Sequence, residues 1–203
     1  MEYILYLASG SSSRRGMLMA AGIPFQVTEH TADELSCSLD QPLESLVTQI
    51  TLLKMNHVSI PDGVEGQVAF TLTADTMTLD SYNRLHGKPV DRQDAKNMLV
   101  SCRNGALIGT AFCLQKKIFQ NGTWHVQQQI IGYDQAWCVI DVPDVFIDFY
   151  LDRIPFTQVS GGITIEGFGE QFVKEVNGCY SAILGMPMYK LREALYELKF
   201  YAF

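Results

Sequence analysis

Tyr3-Ile4-Leu5-Tyr6-Leu7-Ala8 runs directly into Ser9-Gly10-Ser11-Ser12-Ser13-Arg14-Arg15, and then into Gly16-Met17-Leu18-Met19. The first six residues make an apolar run of strand length, and a helical pattern begins where the two arginines stand. Backbone N–H groups at a helix start, serine hydroxyls and guanidinium forks are what a phosphate chain requires. The strand–loop–helix context sets this tract apart from a chance cluster. A serine N-cap followed by solvated arginines explains the same residues without a ligand, so both explanations stay open at this point. The tract makes a protein that handles a phosphorylated small molecule the working expectation.

Composition narrows the classes. A chain of 203 residues suits one α/β domain, with room for two lobes, and can bury a sizeable core. Hydrophobic residues at 47% and charged residues at 18% are ordinary for a globular protein, which argues against disorder. The net charge of −7 argues against nucleic-acid partners and anionic membrane surfaces, so any anion site must be built locally. Cys37, Cys102, Cys113, Cys138 and Cys179 contain no C-x-x-C pair, so reduced and mostly buried thiols are expected. Glu2 precedes the first apolar run without a basic segment or cleavage site, and no stretch approaches the roughly 20 apolar residues of a membrane span. A cytoplasmic location is the expectation.

After the strand at 3–8, periodicity and breakers predict a helix over about 14–22, a short strand at 25–27 and a loop over 28–40 containing Asp33-Glu34. A helix follows over about 41–57, capped by Asp40, with Lys54 on its apolar side. A lysine there either snorkels past the core edge or reaches an internal anion. Residues 68–74 read as a strand closed by Asp75-Thr76, where a carboxylate either starts a turn or faces a ligand beyond the strand ends. His86-Gly87-Lys88-Pro89 reads as a turn, and Asp91 and Asp94 as helix caps rather than catalysts. Long β segments at 106–119 and 124–131 flank Asn121-Gly122, a strong hairpin signal. A strand near 137–140, a helix near 144–151, a glycine-dense loop at 161–169, a segment at 171–176, a turn at Asn177-Gly178 and a helix from Pro187 through Leu198 complete the reading. Early alternation of strands and helices, with antiparallel strands later, predicts a mixed sheet.

Leu7-Ala8-Ser9-Gly10-Ser11 with Arg14, Gly22-Ile23-Pro24-Phe25, Asp33-Glu34, Lys54, Ala74-Asp75-Thr76, Gly87-Lys88-Pro89 with Asp91, Asp94 and Ala95, Glu166-Gly167 with Gly169, and Leu184-Gly185-Met186-Pro187-Met188 occur in this order. Their order and spacing resemble the Maf family of nucleotide pyrophosphatases over nearly the whole chain. The resemblance implies an α/β fold similar to the inosine-triphosphate pyrophosphatases, a single elongated two-lobed domain over 1–203 with a mixed β-sheet. It implies cleavage of a nucleoside triphosphate between the α and β phosphates with a divalent metal, Mg²⁺ or Mn²⁺. It also brings an association with septum formation, and a homodimer as the assembly to test. Carried over by residue, Ser9, Ser11 and Arg14 would hold phosphate oxygens, with Ser13, Arg15 and Thr76 beside the substrate. Lys54 and Lys88 would neutralise the triphosphate. Glu34 and Asp75 would be the metal carboxylates, and Asp75 the proton acceptor for water.

The chain departs from the family pattern in places. Ser12-Ser13 replaces the usual proline–arginine pair, and Glu166 replaces a common glutamine. The glutamate–glycine pair looks more like the subgroup acting on 7-methyl-GTP than the dTTP/UTP subgroup, although the former usually has an aromatic residue at the position of Ser13. Gly105-Ala106-Leu107-Ile108-Gly109-Thr110 and Asp134-Gln135 also differ from the family's usual segments. Two other readings compete. The start resembles nucleotidyltransferases, which need a lysine shortly after the arginine, and residues 16–25 contain none. A catalytically weak nucleotide-binding regulator of cell division is the non-enzyme alternative, and it gives no use to a carboxylate facing a triphosphate.

Overall fold

The computed structural model describes residues 3–201, so the expectation placed on Glu2 and the ends of the 1–203 span lie outside the described residues. In chain order, β1 (Ile4–Ala8) leads to α1 (Ser12–Ala20), β2 (Gln26–His30), a 3-10 turn (Glu34–Ser36) and α2 (Leu43–Asn56). Then come β3 (Val58–Ser59), β4 (Val68–Asp80), β5 (Leu85–His86), α3 (Arg92–Cys102), β6 (Ala106–Gln120) and β7 (Thr123–Ile140). The chain continues through α4 (Asp144–Leu151), 3-10 turns at Phe156–Gln158, Ser160–Gly162 and Gly167–Phe172, β8 (Val173–Gly178), α5 (Tyr180–Ile183) and α6 (Met188–Glu197). The strands form one mixed sheet in the order β3-β2-β1-β4-β6-β7-β8, with β5 on β4. Pairing is parallel for β1 with β2 and β4, and antiparallel for β2–β3, β4–β5 and β7–β8. No helix among the described residues is long and apolar enough to cross a membrane.

Two compact units divide the chain: Met1–Asp75, Ala111–Tyr133 and Gly185–Phe203 in the first, Thr76–Thr110 and Asp134–Leu184 in the second. The first unit buries Leu5 and Leu7 of β1, Phe70 and Leu72 of β4, and Phe112 and Leu114 of β6 against Leu18 of α1 and Leu191, Leu195 and Leu198. Each strand contributes alternate residues, because successive side chains point to opposite faces. On the other face of β4, Thr73 Oγ1 donates to the Thr51 carbonyl of α2 at 2.9 Å, and Thr71 Oγ1 contacts Met55 Sδ at 3.3 Å. The second unit packs Ala95 and Leu99 of α3, Cys138 and Ile140 of β7, and Ile147, Tyr150 and Leu151 of α4 around Ile163, Ile165 and Phe172. The cysteines are free, and burial pushes the Cys102 and Cys138 thiols up to about 11 and Cys113 to about 12, which makes all three poor nucleophiles.

Several local expectations need correction. Helix α1 begins at Ser12, two residues early, because Ser11 is its N-cap and accepts from the Arg14 amide. The stretch read as a loop from Thr28 continues β2 to His30, paired through Glu29 and His30 with β3, and then forms the 3-10 turn at Glu34. Pro42, not Asp40, occupies the N-cap of α2, without a side-chain cap. Residues 124–131 and 137–140 belong to one strand. Gly132 lies within it, where a Cβ would collide with the Phe112 ring, so this glycine serves close packing rather than a break. Asn177-Gly178 is not a turn but the end of β8, paired with Trp137 and Ala136. Asp75 does not close its strand, because β4 runs on to Asp80. The hairpin at Asn121-Gly122 forms as expected, with φ of 52° and 77° at the two central residues, the type I′ pattern.

Candidate active site

The charged groups of the first unit are placed by β1, α1, α2 and β4. Leu7 pairs with Leu72, so Asp75 stands three residues further along β4, past the carboxyl end of β1 at Ala8. In open α/β sheets this edge is where ligands bind. The strand passes through Asp75, but its parallel partner has ended. Lys54 lies on the face of α2 that packs on β4, one helical turn beyond Thr51, and this brings its ammonium to Asp75.

Lys54 Nζ is 2.7 Å from Asp75 Oδ1 and 3.0 Å from Glu34 Oε2. The Lys54 and Asp75 side chains are only 8% and 11% exposed, whereas Glu34 is 44% exposed. The snorkelling account of Lys54 therefore fails: the ammonium is buried against two carboxylates. His30 Nε2 extends the cluster, 3.9 Å from Glu34 Oε1. Burial, and then the Lys54 charge, lower the His30 pKa below its ordinary value, so this imidazole is neutral at pH 7.

Arg14 is buried at the start of α1. Its Nε donates to the Gly185 carbonyl at 2.7 Å and its Nη1 to Ser9 Oγ at 3.1 Å. Burial lowers its pKa, while Asp75 and Glu34 pull it back up, so the guanidinium stays charged beside the carboxylates. Ser9 Oγ also accepts from the Ser11 amide at 3.3 Å. Ser11 caps α1, so the capping explanation is right for this serine, and the helix N-terminus is directed at the same region. Ser13 is half-buried in the first turn of α1, and Arg15 Nη1 reaches back to the Gly10 carbonyl at 3.4 Å.

Ser9, Arg14, Glu34, Lys54 and Asp75 are thus gathered within the first unit. Thr76, Lys88 and Glu166 belong to the second. Thr110 Oγ1 donates to the Ala182 carbonyl at 2.6 Å, which leaves Thr76 as the donor in the 2.8 Å Thr76–Thr110 hydroxyl pair. Lys88 is exposed on a turn whose neighbour Pro89 is buried. Asp91 caps α3 by accepting from the Asp94 amide at 2.8 Å, and Asp94 accepts from the Val90 amide at 3.0 Å, so both act as caps. Glu166 is exposed at the N-cap of the 3-10 turn Gly167–Phe172, and its carboxylate raises the Tyr180 pKa, after the larger effect of burial. Sequence reasoning did not single out His30, whose only signal is its place four residues before Glu34. The role of Gly185 as acceptor for Arg14 was also missed, although Gly185 lies inside one of the quoted motifs.

The Maf-like protein family matches residues 4–198. The chain belongs to this family. At 26% identity over the full length of both chains, it is similar to a dTTP/UTP pyrophosphatase of Hydrogenovibrio crunogenus. It is 28% identical to a dTTP/UTP pyrophosphatase of Syntrophus aciditrophicus, covering 96% of this chain and 89% of that one. It is 29% identical to a nucleoside triphosphate pyrophosphatase of a Synechococcus species, covering 95% and 98%.

The family resemblance brings with it the expectation of a divalent cation. No group of three or more His, Cys, Asp and Glu among the described residues could hold an ion by itself. Asp75 and Glu34 do share a single cation, Lys54, so their oxygens converge. Two carboxylates completed by substrate phosphate oxygens are how Mg²⁺ is ordinarily bound in nucleotide enzymes. Asp75 and Glu34 are of the type that would hold such an ion together with its nucleotide.

Proposed function

We propose that this protein hydrolyses nucleoside triphosphates between the α and β phosphates, releasing a nucleoside monophosphate and pyrophosphate. The observation that carries the reading is the Asp75–Lys54–Glu34 cluster, with its Asp75–Lys54 pair buried, beside Arg14 at the carboxyl edge of β1. A triphosphate brings about four negative charges, and in-line attack by water is chiefly a matter of positioning and charge stabilisation. Arg14, Ser9 and the N-terminus of α1 supply donors for phosphate oxygens. Asp75 accepts the proton as water attacks the α phosphorus, and the bond to the bridging oxygen breaks with pyrophosphate as leaving group. Lys54 holds Asp75 and Glu34 in place and adds positive charge, and Lys88 adds a second ammonium. Asp75 and Glu34 are the residues that would hold Mg²⁺ or Mn²⁺, which when bound neutralises phosphate charge and polarises phosphoryl oxygens.

For the base, Glu166 favours 7-methyl-GTP or another modified nucleotide. A carboxylate only accepts hydrogen bonds, and guanine presents two adjacent N–H donors where thymine and uracil present a single N–H flanked by carbonyls. The dTTP/UTP pyrophosphatases among the relatives supply the competing expectation. One assay tests both levels: release of pyrophosphate and monophosphate from 7-methyl-GTP, GTP, dTTP and UTP, with Mg²⁺ or Mn²⁺. Equal amounts of the two products are expected. Orthophosphate as the product would overturn the cleavage position. Tight binding without turnover of any nucleotide would support the regulator reading instead.

A further inference from the structure

Lys88 is exposed, so the restraint on its position lies in the backbone that carries it, and that backbone is held from two sides within the second unit. On one side, Asp80 ends β4 with a side chain that has no exposed surface. Its carboxylate accepts from the Tyr82 and Arg84 amides, from Arg84 Nε and from His86 Nε2, each at 2.9 Å. On the other side, Ser160 Oγ donates to the His86 carbonyl at 3.0 Å, and the Gly161 amide donates to the Gly87 carbonyl at 2.8 Å. The Ser160 proton is directed to His86, so in the 3.0 Å Thr78–Ser160 hydroxyl pair Thr78 is the donor. The two carbonyls just before Lys88 are therefore both bonded, and Pro89 just after it is buried.

This grip depends on glycine. Gly161 and Gly162 have φ of 66° and 64°, consecutive left-handed residues that turn the Gly161 amide toward Gly87. A Cβ at Gly161 would lie 3.1 Å from Thr78 Oγ1, and one at Gly162 would lie 3.4 Å from Pro89 Cγ. Neither residue serves a hairpin, and Ser160 is not needed to cap a long helix. We propose that Ser160-Gly161-Gly162 is a positioning element for Lys88, clamping the turn so that the backbone carrying this ammonium is held in one place. The proposal rests on the pyrophosphatase reading.

The test is a double-mutant cycle on the full chain, with Ser160→Ala and Lys88→Met alone and together, and Ser160→Thr as the conservative variant. Pyrophosphate release and melting temperature are measured for each. Misplacing a catalytic group by about 1 Å can cost up to ~10²-fold, so a fall in kcat/KM of about tenfold is expected for Ser160→Ala. The fall should vanish in the Lys88→Met background, and Ser160→Thr should stay near wild type. Should Ser160→Ala fail to fold, Gly161→Ala takes its place in the same cycle. An equal loss with and without Lys88, or no loss in Ser160→Ala, overturns the positioning role and leaves the pyrophosphatase reading standing. Wild-type turnover in Lys88→Met removes Lys88 from the reaction and overturns the proposal by that route. Absence of pyrophosphate release from the unmodified protein is a distinct result, and it would sink the functional reading and the clamp together.

Discussion

The charged residues of the first unit and those of the second are held by opposite means. In the first, side chains position one another: Lys54 joins Asp75 to Glu34, and Arg14 joins Ser9 to the Gly185 carbonyl. In the second, Lys88 and Glu166 are exposed, and the restraint lies in the chain beneath them. Ser160 and Gly161 bond the carbonyls before Lys88, while the Tyr150 hydroxyl accepts from the Thr164 amide at 3.0 Å, two residues before Glu166. A buried charge costs stability unless it is paired, so a substitution that leaves a buried charge of the first unit without its partner should disturb folding and activity together. An exposed side chain on a rigid backbone can be changed with the fold left alone. That contrast orders the expected effects.

The largest effect should come from Asp75→Asn. The amide keeps the shape but cannot accept the proton, which predicts a loss of pyrophosphate release of at least ~10²-fold. Folding should survive, because Lys54 keeps Glu34 at 3.0 Å and its ammonium is not orphaned. Turnover near wild type in this variant would remove Asp75 from the chemistry. Next is Lys54→Met. A lone phosphate-binding lysine could be replaced at no cost in stability, but this one separates two carboxylates, one of them buried. Removing it should cost about 3 kcal/mol of stability as well as activity, measured by denaturant unfolding. Lys88→Met should leave unfolding unchanged, and a similar loss of stability in both variants would erase the distinction between the two units.

Asp80 sharpens the comparison from inside the second unit, where one carboxylate is as buried as any group in the first. Burial alone would raise its pKa, but bonds from His86 and from the Arg84 and Tyr82 groups prevail and hold it well below the usual carboxylate range. The sign follows from linkage. A carboxyl depressed in the folded state adds stability that is whole above its unfolded value of about 4. That stability is lost as pH falls further, through the folded value. Asp80→Asn should therefore cost about 2 kcal/mol at pH 7, because the amide turns a donor toward donors. The wild type should lose this advantage progressively below about pH 4. A difference between wild type and variant that stays constant down to pH 2 would mean that the network contributes nothing through its charge.

Much of this was legible from sequence where a residue's neighbours lie close along the chain. Helix α4 falls on the expected residues because its ends are marked by Pro143 and by a change of pattern after Leu151. The hairpin at 121–122 follows from turn chemistry alone. By its local pattern Asp75 ends a strand, whereas β4 continues to Asp80 and it is β1 beside it that has ended. The strand continues because Thr76, Met77 and Thr78 suit an extended, buried segment, while β1 beside it stops at Ala8. No local signal could reveal that, because the length of a parallel neighbour is not written next to Asp75. The same holds for Lys54. Its place on the apolar face of α2 is visible as a period, but its two carboxylate partners lie 21 residues ahead and 20 behind. The Ser160–His86 bond spans 74 residues and joins the turn at 86–89 to the residue just before the glycine-dense loop.

The smallest expected effect concerns Glu166, and it tests the second unit most directly. Its carboxylate is exposed at the start of a 3-10 turn, so it loses little solvation in the free protein and its substitution should leave unfolding unchanged. Exposure also limits what it can do for specificity. A buried polar mismatch separates substrates by several kcal/mol, whereas a solvent-accessible one is worth about 1 kcal/mol, or roughly five- to tenfold in kcat/KM. If Glu166 reads an N–H edge, the wild type should favour 7-methyl-GTP or GTP over dTTP and UTP by about that factor. Glu166→Gln should then move the ratio toward the pyrimidines, since an amide both donates and accepts. The comparison must be made as a ratio within each variant, so that any general loss of activity cancels. A wild type that prefers dTTP and UTP, with a ratio unmoved by Glu166→Gln, would assign base choice to other residues and leave Glu166 as the cap of its turn.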